Sequence, residues 1–287
     1  MSIGSVMSGV NHSLNNLNRA QSAQSSSIQR ISTGSKYYSA ANGASEYAIV
    51  QRMYNNIGSV AQSNSNTQTA NSMLNVAAGA VGNTVSSLSS LKETLISAAN
   101  GTNGKSDIAA LQKSVNQTLA QINSNAQVTY NGQKLLDGSQ SVQVASYNGY
   151  ETVNLGDMST AGLGLTDSDG NSNIKLGDLS DLGSAIETVD NALNTALDQA
   201  TSIGASQQGL DYQSSNYTVM EENLYDAVST IDDTDIAAES VNNASANAQS
   251  QVAMWAVKQG LQSLSQEVGA LGGLNNHSRG AAFGMLY

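Results

Sequence analysis

Apolar residues in this chain recur at steps of three and four, a spacing that predicts helices. The first stripe is Ile3, Met7, Val10, Leu14 and Leu17; it resumes through Gln24 to Ile28 and Ile31. This is the pattern of a helix packed along a narrow seam. STGS (Ser32–Ser35) ends it, with Gly34 suited to a helix C-terminus. A second helical stretch spans roughly residues 44–99, with its seam at Met73, Ala77, Val81, Val85, Leu88, Leu91 and Leu95. NGTNG (Asn100–Gly104) breaks it. A third starts at about Ser106, a good N-cap, and runs through Ile108, Leu111, Val115, Leu119 and Ile122. The period then drops to two over Ser141–Leu155, a hairpin signal with Asn148-Gly149 as a type I′ turn. Met158–Asn173 is turn-rich and low in apolar residues, which predicts a surface loop. Helical spacing returns at Ile186 and holds through Val189, Ile203, Leu210, Tyr217, Leu224 and Ile231. A last helix carries Val241, Val252, Trp255, Leu261, Leu264, Val268 and Leu271. The Gly-rich tail Gly272–Tyr287, with Phe283, Met285, Leu286 and Tyr287, is expected to fray.

The predicted fold class is therefore mainly α: long helices in a rod-like coiled-coil or bundle with a small β-hairpin insert. Neither terminal helix has a globular core to cover, and an isolated helix seldom holds itself in water. The nearest partner is the other end of the chain, then the next copy. Such helices either stay disordered or find partners, and the pattern predicts pairing of the N- and C-terminal helices and self-assembly.

Composition narrows the chemistry. The 287 residues include no Pro, no Cys, one Trp and one Phe, and only 11% are charged. Without Cys there are no disulfides and no thiolate metal sites. A net charge of −11 without a basic patch argues against nucleic acid and against anionic membrane surfaces. No basic n-region leads into an apolar run at the N-terminus, so the stretch does not read as a secretory signal peptide. No apolar run is long enough to span a bilayer.

Catalytic chemistry finds little support. The two histidines, His12 and His277, lie near opposite ends and form no zinc-type pair. TDSDGNSN faintly resembles a calcium loop through Asp167, Asp169 and Gly170, but Leu165 and Leu176 occupy the end positions that need carboxylates. STIDDTDIAAES (Ser229–Ser240) packs Asp232, Asp233, Asp235 and Glu239 together. It has no His beside it, and it precedes a helical run whose first-turn N–H groups want acceptors. We read it as a helix boundary capped by Thr234 or Asp235. No enzyme activity, cofactor or metal is expected.

The same stretch carries a family resemblance. Ile231–Glu239 is similar to the I-[ED]-D-[ST]-D-x-A-x-E segment near the C-terminus of bacterial flagellins. Gln29–Met53 resembles their R-L-S-S-G-x-x-[IV]-N-S-A-x-D-x-A-A-G-x-A-I-x-x-R, matching at Arg30, Ser32, Gly34, Ser39, Ala40, Ala48, Ile49 and Arg52. Ser97–Asn103 resembles Q-S-A-N-G-T-N, and Val128–Gly138, with Asn131 and Gly132, resembles T-x-F-N-G-x-K-L-L-D-G. These segments fall in the family's order.

The resemblance implies a short-form flagellin, exported and polymerised into an extracellular flagellar filament for motility. Residues 1–35 with 236–287 would be terminal inner-tube helices. Residues 36–157 with 179–235 would be a rod-like helical shell domain carrying the hairpin. Residues 158–178 would be a short variable surface loop. Leu14, Leu17, Ile28 and Ile31 are expected to meet Val252, Trp255, Leu261, Leu264 and Val268 in the inner tube. Motif positions carried over are Arg30, Gly34, Arg52, Asn131, Gly132, Asp233, Asp235 and Glu239. Implied partners are further copies of the chain, an export chaperone, and cap and junction proteins. The family's surface for an innate toll-like receptor aligns with Ser90, Lys92, Glu93, Thr94 and Ser114; Ser90 replaces its Arg and Thr94 its central Leu, so recognition should be weak. The chain departs from the family at Ile3–Ser13 and at Val257–Leu264, where VKQGLQSL replaces A-N-Q-x-P-Q. Other readings are a hook–filament junction protein and a secreted, non-polymerising rod protein.

Overall fold

The computed structural model describes residues 3–139, 141–147, 149–167, 169–177 and 179–283. Five long helices follow the predicted stretches: α1 (Ile3–Thr33), α2 (Ala44–Ala98), α3 (Lys105–Ala126), α4 (Leu179–Asp232) and α5 (Ile236–Phe283). Two antiparallel strand pairs sit between α3 and α4: β1 (Thr129–Tyr130) with β2 (Gln133–Lys134), and β3 (Ser141–Ser146) with β4 (Gly149–Asn154). The fold is mainly α, as its spacing predicts.

The chain divides into two compact units. One holds Met1–Tyr54 and Asp226–Tyr287, the other Asn55–Tyr225. These divisions fall within α2 and α4, not at the helix breaks near residues 35 and 235.

In the second unit the seam of α2 is buried as its spacing requires: Ala77, Val81, Leu88, Leu91 and Leu95 meet Val115, Leu119 and Ile122 of α3 and Val189, Ile203 and Leu210 of α4 in one core. Hydroxyls enter this interior without penalty because each has a local acceptor. Thr67 donates to the Ser63 carbonyl (2.9 Å) and Thr84 to that of Ala80 (3.1 Å), each four residues back along its own helix.

Four expectations need correction or narrowing. First, the segment 158–177 is not a loop lying wholly on the surface: among its described residues Met158, Leu163, Leu165, Ile174 and Leu176 are buried in the core, while most residues between them are exposed or half-buried. Sparse apolar residues among Ser, Asp and Gly hid this from a periodicity count. Two amides of α3 fasten the segment. Asn123 accepts from the Thr160 N–H and hydroxyl, both at 3.0 Å. Gln112 donates to the Ile174 carbonyl (3.1 Å) and accepts the Leu176 N–H (3.1 Å). Burial explains the two leucines at the ends of the calcium-like stretch. The Asp167 carboxylate is already occupied, accepting N–H groups of Asn171 (2.7 Å) and Asp169 (3.0 Å).

Second, Gly149 is paired with Ser146 at the end of the β3–β4 ladder. The expected Asn148-Gly149 turn rests on Asn148, which lies outside the described residues. A positive-φ Asn-Gly turn does occur, at Asn131 (φ 50°) and Gly132 (φ 79°) between β1 and β2. Both central residues have φ > 0, as a type I′ hairpin requires. Third, α3 starts at Lys105, where the Gly104 N–H donates to Asp107 (3.0 Å); Ser106 is inside the helix. Fourth, α5 passes through Gly272 and Gly273 to Phe283. Each helical Gly costs about 1 kcal/mol relative to Ala, which a helix without Pro can absorb. Met285, Leu286 and Tyr287 lie outside the described residues.

Burial of 158–177 yields a direct test. Leu165→Ala and Ile174→Ala should each lower unfolding free energy by roughly 2–5 kcal/mol in a urea titration. A surface loop would give changes within about 0.5 kcal/mol, and that result would remove the segment from the core.

Candidate functional site: the terminal helix pair

Helices α1 and α5 pack on each other in the first unit. They run antiparallel, with Val10 against Gly260 at one end and Ser27 against Glu239 at the other. Small side chains line the contact. Ala20, Ser27, Ala246, Ser250 and Ala253 are buried there with Val10. A methyl group on Gly260 would overlap the Val10 side chain, so only glycine lets the helices approach this closely.

This seam differs from the one expected. Leu17, Ile31 and Leu264 are half-buried. Leu14, Ile28, Val252, Trp255, Leu261 and Val268 are exposed, with Val252 65% and Trp255 63% accessible. Met7, Val241, Met254 and Leu271 face outward too. Spacing located apolar stripes on both helices correctly, but their large members are not the residues that join the helices within one chain. The seam uses the small residues; Leu17, Ile31 and Leu264 are partly covered, and the other large residues stay exposed.

The two helix breaks lie side by side. α1 stops where Gly34 turns left-handed (φ 71°) and returns its N–H to the Arg30 carbonyl (2.8 Å). α4 stops at Asp232, and Asp235 caps α5 by accepting the N–H groups of Ala237 and Ala238, both at 3.0 Å. Main-chain bonds stitch the crossings: Lys36 N–H to the Asp232 carbonyl (2.6 Å) and Thr234 N–H to the Gly34 carbonyl (2.8 Å). Ser35 and Asp233 form a bridge. The buried Asp232 carboxylate accepts the Ser35 hydroxyl (2.6 Å) and the Tyr37 N–H (3.0 Å). One turn into α5, Glu239 accepts the buried Ser27 hydroxyl (2.6 Å) and the Asn242 amide (3.2 Å), with Arg30 Nη1 at 3.7 Å.

The acid cluster is thus a helix boundary, and also a clamp between the two ends of the chain. Arg30, Gly34, Asp233, Asp235 and Glu239 meet in it. Arg52 does not; it donates to the Ala48 carbonyl on its own helix (3.2 Å). Asn131 and Gly132 form the hairpin turn in the other unit. Sequence reasoning missed the reach of Asp232 and Glu239 to α1. The available signal was a second cluster of small hydroxyl residues, Ser27 and Ser35, flanking Arg30. Among the described residues no group of three or more His, Asp or Glu is arranged to hold a metal ion.

On the second unit, Ser90 and Ser114 line one polar groove with Ser86, Ser87, Gln117 and Thr118. Lys92 is tied to Asp190 at 2.6 Å, and the Thr94 hydroxyl to the Ser90 carbonyl at 2.9 Å. Glu93 is exposed.

The Ser27 hydroxyl, then Asn242 and Arg30, hold the Glu239 carboxyl below its ordinary 4.5, against the opposing effect of burial. A lowered folded-state pKa means stability present above pH 4.5 and lost as pH falls through the folded value. Denaturant unfolding followed by Trp255 fluorescence should show Glu239→Gln less stable by about 2 kcal/mol near neutrality. The gap should close on acidification; a gap independent of pH would show that the carboxylate is not its source.

The arrangement has counterparts among known proteins. Residues 7–141 match the bacterial flagellin N-terminal helical region, and residues 186–271 the bacterial flagellin C-terminal helical region. Phase 1 flagellin of Salmonella naestved and flagellin of Salmonella enteritidis are each 34% identical over 155 residues, 53% of this chain and 31% of theirs. The chain therefore aligns with under a third of the length of these curated relatives. A flagellar hook-associated protein of Vibrio parahaemolyticus has a similar fold, with TM-score 0.58 and 13% identity over 67% of this chain and 100% of that one. No helix among the described residues is long and apolar enough to cross a membrane. The flagellin family is structural and non-enzymatic, consistent with a site made of packing residues and helix caps. With both family regions matched in order at the two ends of the chain, the protein belongs to the bacterial flagellin family.

Proposed function

We propose that this chain is a structural subunit, exported and self-polymerised into the extracellular flagellar filament for motility. The observation that carries the reading is the uncovered apolar surface of the terminal helix pair. Val252, Trp255, Leu261 and Val268 are each more than half exposed. Burying such a side chain against a neighbouring copy returns roughly 1.5–3 kcal/mol. Before assembly the same residues would need cover, the natural task of an export chaperone; at the growing end, cap and junction proteins would meet them. A chain without Cys or Pro also refolds after export without disulfide exchange or slow proline isomerisation.

Seeding the purified protein with short filament fragments, then imaging by electron microscopy, should give filaments. Trp255→Glu and Leu261→Glu should block them while leaving monomer circular dichroism unchanged, because both side chains are exposed in the monomer. Normal filaments from both variants would refute assembly through this surface. Failure of the unsubstituted chain to extend seeds would favour the junction-protein or non-polymerising reading.

Recognition by a toll-like receptor is proposed to be weak. Ser90 offers no bidentate donor, Thr94 no apolar anchor, and the Lys92 ammonium is engaged by Asp190. A reporter-cell assay should show low potency that rises with Ser90→Arg plus Thr94→Leu; full potency from the unsubstituted chain would overturn this.

A further inference from the structure

We infer that Asn131 is a site of spontaneous covalent modification, where the amide is lost to the following glycine and the β1–β2 turn is chemically altered as the protein ages. The chain has five Asn-Gly steps, at 42–43, 100–101, 103–104, 131–132 and 148–149. Gly in the second position leaves the attacking nitrogen without a neighbouring Cβ, so every step is intrinsically prone. What separates them is how the fold engages the two reacting groups.

Asn103 is held hardest. Its amide donates to the Ser97 carbonyl (2.8 Å) and the Ala98 carbonyl (3.4 Å), and the Gly104 N–H is bound to Asp107 (3.0 Å). Asn42 has its Nδ2 shut away from solvent, and Gly43 is packed against the Tyr37 ring. Asn100 is exposed and open space surrounds Gly101, so that step differs from Asn131 only in its side-chain oxygen, which accepts the Thr102 N–H (3.4 Å). Asn131 is exposed, and neither its side-chain amide nor the Gly132 N–H has a hydrogen-bond partner among the described residues. Open space surrounds Gly132. Asn148 lies outside the described residues and is not ranked.

The turn can also open. Each flanking strand has two residues, and β1–β2 is a sheet of two strands only. Such a hairpin is marginal by itself and belongs to the low-stability end of a fold. Leu135 and Leu136, directly after β2, are buried and keep the chain anchored while the turn moves.

The chemistry is balanced by water alone. The Gly132 backbone nitrogen, losing its proton, bonds to the Asn131 side-chain carbonyl carbon. The bond from that carbon to Nδ2 breaks, and ammonia leaves with the proton. Water then opens the five-membered imide. Attack at the side-chain carbonyl gives an ordinary aspartyl residue at this position; attack at the main-chain carbonyl gives an isoaspartyl linkage with an extra backbone carbon. Aspartate tolerates the left-handed conformation of residue 131 and keeps the turn. The isoaspartyl form cannot preserve a two-residue hairpin, so the Tyr130–Gln133 pair should be lost.

The test is peptide mapping by mass spectrometry of the full folded chain, incubated in neutral and mildly alkaline buffer, with a denaturant-unfolded sample alongside. In the folded chain Asn131 should lose its amide several-fold faster than Asn42, Asn100 and Asn103, and faster still in the alkaline buffer. In the unfolded chain the four rates should converge. Asn131→Gln should abolish the isoaspartyl signal at that peptide. Conversion of Asn100 or Asn103 at the rate of Asn131 in the folded chain would overturn the inference. So would a folded-state Asn131 that stays intact while its unfolded counterpart converts.

Discussion

The approach of α1 to α5, set by Val10 against Gly260, governs what the rest of the terminal pair can do. Two helices this near each other can place only small residues between them. Ala20, Ser27, Ala246, Ser250 and Ala253 fill the space. Leu14, Trp255, Leu261 and Val268 cannot enter such a seam, and they turn outward. A wider separation would take them in and give a self-sufficient hairpin of helices with little left to offer another copy. Gly260 lies within Val257–Leu264, a stretch expected from its sequence to differ from the family pattern.

A seam of small residues buries little area, so the pair needs another source of register. The clamp supplies it. Asp232 and Glu239 each receive a hydroxyl from the opposite segment at 2.6 Å, and the main chain crosses between Lys36, Asp232, Gly34 and Thr234. Hydrogen bonds to buried carboxylates are directional and stronger than neutral ones. They fix which turn of α1 faces which turn of α5, a matter that interchangeable alanines and serines leave open. The acids at the α4–α5 break therefore punctuate helices and set register together.

Helix number and position were legible in the sequence because spacing of apolar residues reports directly which face of a helix is buried or sticky. Gly34 and Asp235 were legible as a stop and a cap because their roles are local. Trp255 and Leu261 show where that reasoning ends. Periodicity finds a stripe but does not say whether its partner is the same chain. Leu165 and Ile174 were hidden because irregular segments bury residues without any period, held by side chains as distant as Gln112 and Asn123. The β1–β2 hairpin shows a third limit: Asn131-Gly132 forms a turn with both central residues at positive φ between strands too short for any alternation of apolar residues to announce them.

Charge placement completes the account of the outward stripes. The chain has a net charge of −11, yet α1 carries two arginines and no acid, and α5 sets Lys258 and Arg279 against Glu239 and Glu267. The excess of acids therefore lies outside the terminal helices. Like charges held close in a repeating assembly repel at every contact, and salt screens that repulsion only over distances beyond about 10 Å. Terminal helices close to neutral avoid it where copies would approach most closely. The charges that the two helices do carry, such as Lys258 between Trp255 and Leu261 and Glu267 beside Val268, are few and of both signs, so no single-sign field opposes burial of the exposed apolar residues.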